Sequence, residues 1–173
     1  MPDRCTGRRF AHRVRSYNLL YFSLLEFCMR TTLFRLIGIL EIAGGLYGVA
    51  AMLHRLLPLG STHESVVTLI GLALFGFVLA AGVQLLDGSE HGVRMSSWAQ
   101  LLQLPLIATP IFSYGLHCGA FINVFATLHL PPQLALDWRF GSQGFVLAVA
   151  GPGVSRLGIN LLALLSWLVL KLR

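Results

Sequence analysis

Gly38, Glu41, Gly45, Gly48 and Met52 recur at spacings of three and four, which puts them on one face of a helix. Glu41 is the only one of the seven acids placed deep inside an apolar run. A carboxyl group there needs partners, because polar groups inside a membrane are costly. A second stripe can supply them. Ser96, Gln100, Gln103, Ile107, Pro110, Tyr114 and His117 follow the same four-three spacing. Along straight helices rising about 1.5 Å per residue, Glu41 and Gln103 reach matching depth, with Gln84, Gln100 and Ser166 nearby. Two chemistries follow. A clamp would join a neutral Glu41 to amide and hydroxyl partners and hold helices together. A polar cavity would instead carry a proton-linked substrate, as in a small transporter or channel subunit.

Histidines give a third lead. His54, His63 and His117, with Tyr114, fall at the predicted outer side, where imidazoles could hold zinc or copper. No two histidines stand three or four residues apart, so the expectation is no metal and no cofactor. Cys5, Cys28 and Cys118 form no CxxC motif, and neither a nucleophile elbow nor a phosphate loop occurs. Nothing points to an enzyme.

These residues must be positioned by membrane-spanning elements. Hydrophobic residues make up 55% of the 173 and charged ones 12%, about half the charge of a soluble domain. That excludes a disordered chain, a soluble nucleic-acid binder and most cytosolic enzymes. Spans of about 20 apolar residues are predicted at 33–57, 65–86, 96–117 and 154–171. The expected fold is therefore an all-α membrane protein, a four-helix transmembrane bundle. Gly38, Gly44, Gly45 and Gly48 are its expected packing face, with Gly44 and Gly48 forming a GxxxG pair.

Basic residues orient the bundle. Arg4, Arg8, Arg9, Arg13, Arg15, Arg30, Arg35, Arg94, Lys171 and Arg173 fall on one side if both termini are cytoplasmic. The +6 net charge is thus mainly a topology signal, and the expected location is a bacterial inner membrane, crossed several times. Residues 1–28 read as a basic, amphipathic extension, with Phe10, Val14, Tyr17, Tyr21, Leu24 and Cys28 on one face and no requirement for the fold; 29–173 form the transmembrane domain. The outer loop, 118–155, alternates at Leu134, Leu136, Trp138 and Phe140, and carries further strand-like runs at 121–130 and 145–150. A small β-hairpin or three-stranded sheet over the outer helix ends is predicted. Expected partners are the lipid bilayer and either a second copy, through the glycine face, or another membrane protein. Nucleic acid is not among them.

Overall fold

A computed structural model describes residues 4–57, 61–127, 133–140, 144–148 and 155–172, and the side chains of 29–57, 61–127, 134–138, 144–148 and 155–172. The chain divides into two units, Met1–Leu33 and Phe34–Arg173. The first is helical from Arg4. The amphipathic face predicted for residues 10–28 lies outside the described side chains.

Helix α1 (Arg4–Leu56) carries the glycine face in its second half. Helix α2 (Thr62–Leu86) opens on Ser61, whose side chain accepts from the Glu64 amide, so the Ser-x-x-Glu spacing starts the helix. It ends at Asp87-Gly88, with Gly88 at φ 71°, a value that favours glycine. Helix α3 (Glu90–Gln103) starts two residues later, with Ser89 accepting from the Gly92 amide at 2.9 Å.

The predicted third span, 96–117, is helical only as far as Gln103. Pro105 has no amide hydrogen and its ring excludes a helical neighbour, so α3 stops at Gln103. Strand β1 (Pro105–Ala108) and strand β2 (Ser113–His117) follow. Strands β3 (Ala120–Thr127), β4 (Gln133–Phe140), β5 (Gly144–Ala148) and β6 (Arg156–Asn160) complete one antiparallel sheet. The strand order is β4-β3-β6-β1-β2-β5. The fourth predicted span is also shorter than expected: its first residues form β6, and helix α4 (Leu161–Lys171) has 11 residues. At about 1.5 Å each, they reach only half of a hydrocarbon core of about 30 Å. Among the described residues, two helical stretches, Met29–Leu56 and Thr62–Leu86, are long and apolar enough to cross a membrane. The four-helix transmembrane bundle is therefore replaced, among the described residues, by four helices and a six-stranded sheet.

The expected outer-loop strands occur, but not as a hairpin across 141–144. β4 pairs with β3 and β5 pairs with β2, so they occupy opposite edges. Four peptide steps join Phe140 to Gly144, a reach of at most about 15 Å. Six flat strands would separate the edges by roughly 24 Å. The sheet therefore curls to bring these two strand ends together.

Its two faces differ in composition. On one side, Tyr114, Leu116, Phe145 and Leu147 pack with Met52, Phe75 and Ala99 of the helices. The same side carries Ile122, Leu134, Leu136, Trp138, Leu157 and Ile159, all exposed. The other side holds Ser113, His117, Asn123 and Asn160 together with the buried Leu106 and Phe121.

Asn160 ties sheet to helices. Its side-chain oxygen caps α4 through the amides of Leu162 and Ala163, and its own amide donates to the Leu104 carbonyl at 3.1 Å. Tyr114 donates to the Leu102 carbonyl at 2.8 Å. Two carbonyls at the end of α3, those of Leu102 and Leu104, are thus satisfied by the sheet. Asn160→Ala is expected to cost about 1–2 kcal/mol, with Asn160→Ser, which retains a capping oxygen, recovering most of it. Thermal unfolding of the purified protein in detergent checks this.

Candidate functional site

Three elements converge on Glu41. From α1, its Oε1 accepts from Ser96 Oγ at 2.6 Å and from Gln100 Nε2 at 2.8 Å, both on α3. From α2, Gly82 allows the approach: a Cβ there would lie 2.8 Å from the Glu41 Cβ. Glu41, Ser96 and Gln100 retain 2%, 0% and 7% of their exposure. Oε2 makes no hydrogen bond among the described residues.

Beside the carboxyl group lies a cavity lined by residues that include Gln103, Cys118, Asn160 and Ser166, with about 20 Å³ open to the centre of a water molecule. That is room for one water and for no larger solute. The arrangement can hold a proton or a water molecule; chiefly, it joins helices.

Not every predicted member of the cluster takes part. Gln103 turns back along its own helix and donates to the Ala99 carbonyl at 3.2 Å. Ser166 borders the cavity. The backbone carbonyl of Gln84 receives the Ser89 hydroxyl, and its side chain does not line the cavity. Two participants escaped the sequence reading, Asn160 and the Cys118-Gly119 corner. The corner's signal was the single glycine after His117-Cys118, which takes φ 77° to turn β2 into β3.

The glycine face is occupied within the chain. A Cβ on Gly38 or Gly45 would press on Leu86 or Leu79 of α2, and one on Gly48 would enter the Phe75 ring. One on Gly44 would enter the Gly119 amide. This surface is therefore unavailable for the expected pairing of two copies.

The outer-face candidates separate into different places. His54 and His63 line one open pocket of about 490 Å³ with Arg55 and Glu64. Tyr114 points at α3, where its hydroxyl donates to the Leu102 carbonyl. His117 lies three residues on, hence on the opposite face of the strand. Its Nε2 and the Asn123 side-chain amide are hydrogen-bonded at 2.9 Å, and its ring is tilted against Phe121. No group of three or more His, Cys, Asp or Glu among the described residues could hold a metal ion. No protein family, curated protein or solved structure matches this chain.

Proposed function

We infer that this chain is a non-enzymatic integral membrane protein. In this reading it is a scaffold, fixed by the Glu41 clamp, that presents the apolar face of its curled sheet within the bilayer. The carrying observation is that face: Ile122, Leu134, Leu136, Trp138, Leu157 and Ile159 stand exposed on one side of β3, β4 and β6. A soluble surface rarely leaves so large an apolar patch uncovered.

Position supports the same reading. The Cys118-Gly119 corner meets α1 at Leu40 and Gly44, close to the middle of Met29–Leu56. Beyond it, Met52 in the outward half of the helix packs with Leu116 of β2 and Phe145 of β5. The outward faces of the two helices are themselves aliphatic, with Leu36, Ile39, Leu46, Leu69 and Val83 all exposed. One lipid-facing surface then runs from helices to sheet. Glu90 and Lys171 border one groove, so the start of α3 and the end of α4 share an end of the molecule, the cytoplasmic one in the proposed topology. The one-water cavity favours a clamp over a transport path.

Two measurements test this. The chain should stay with membranes after alkaline carbonate extraction. A photoreactive amino acid in place of Leu136 should crosslink to lipid or to a membrane protein. Release into the supernatant, or crosslinks to soluble proteins alone, would overturn the reading.

A further inference from the structure

We propose that the groove between α3 and α4 binds the headgroup of an anionic glycerophospholipid. This rests on the membrane reading above. The groove measures about 300 Å³, and its charged rim and apolar floor lie in sequence along the helices. Arg94 and Lys171 supply two cations, and Glu90 one acid. The rim carries one net positive charge, the complement of a headgroup with a single phosphodiester. Arg94 offers the planar fork suited to phosphate oxygens. The Lys171 ammonium sits 5.8 Å from the centre of the Trp167 ring, which helps to fix it at the mouth.

Farther along α3, away from Glu90, the wall becomes Trp98 and Leu101, both exposed. Polar at one end and apolar at the other, the groove matches the order of groups along a phospholipid. Tryptophan and basic side chains at that level are also what a membrane interface selects. A soluble phosphate compound would have no use for the apolar half, so the lipid is the occupant.

The test uses tryptophan emission from the full chain in phosphatidylcholine vesicles. Trp138→Phe leaves Trp98 and Trp167 as the only emitters. Phosphatidylglycerol brominated on its acyl chains should quench them with roughly fivefold higher apparent affinity than brominated phosphatidylcholine, the worth of one net basic charge near the surface. Adding Arg94→Gln and Lys171→Gln should erase that preference while quenching by phosphatidylcholine persists. Equal quenching by the two lipids would overturn the headgroup site and leave the membrane reading standing. A preference retained in the double variant would overturn the assignment to this groove. Loss of the preference in millimolar inorganic phosphate would make it a free-anion site. No quenching by either lipid would refute the membrane reading itself, and the site with it.

Discussion

Gly44→Val is expected to lower the unfolding midpoint of the purified chain by more than the same replacement at Gly38, Gly45 or Gly48. A Cβ at this position would enter the Gly119 amide and lie 2.7 Å from both the carbonyl carbon and the sulfur of Cys118. Most of what it meets is backbone, and that backbone is pinned. Gly119 already sits at φ 77°, and a Cβ on it would come within 2.8 Å of the Leu40 carbonyl oxygen. Neither partner can yield without moving the corner that joins β2 to β3. Overpacking typically costs about 1–3 kcal/mol and occasionally more; here the upper end is expected, since rotating the Cys118 thiol aside would still leave the backbone clash. Gly48→Val should cost less, because it meets the Phe75 ring. Gly76→Ala is the internal control. Nothing lies within 4 Å of a Cβ there, so a better helix former should stabilise by about 0.5–1 kcal/mol. Thermal unfolding in detergent, followed by circular dichroism, ranks all three. A Gly44→Val midpoint equal to that of Gly76→Ala would contradict the close packing of α1 on the sheet corner.

Glu41→Ala carries the second large effect. It would leave the Ser96 hydroxyl and the Gln100 amide buried without their acceptor. Each orphaned group costs about 1–3 kcal/mol, so roughly 2–6 kcal/mol is expected. Glu41→Gln keeps an acceptor oxygen where Oε1 stands and sends its amide toward the one-water cavity; it should cost about 1 kcal/mol. Ser96→Ala alone should be mild, and combined with Glu41→Ala it should add less than the separate effects, because both act on one bond. Denaturation midpoints of the four variants give the comparison. An alanine variant as stable as the glutamine one would mean that the carboxyl group holds nothing.

The contact between α1 and α3 was legible in the sequence because both stripes keep helical spacing through Gln103. Its level was not. Depth counted from Ser96 matched Glu41 to Gln103, but α3 begins at Glu90. Ser96 therefore already stands at the height of Glu41, and the clamp forms with Ser96 and Gln100. The sheet was half legible. Alternation at Leu134, Leu136 and Trp138 marked β4, since one side of that strand is small or polar. β1, β2 and β6 were hidden in apolar runs that a membrane helix shares, and only Pro105 separated the two readings. Curling of the sheet could not be read at all, because it follows from β4 and β5 lying on opposite edges. The histidines likewise shared a side by sequence order, whereas strand alternation sends His117 inward, away from His54 and His63.

Everything proposed for function depends on whether the aliphatic face of β3, β4 and β6 lies in lipid. Trp138, 62% exposed on that face, reports on it directly. With Trp98 and Trp167 changed to phenylalanine and the chain reconstituted in vesicles, its emission should be blue-shifted, quenched by brominated lipid and insensitive to aqueous iodide. Emission quenched by iodide and unaffected by brominated lipid would place the face in water and contradict the account.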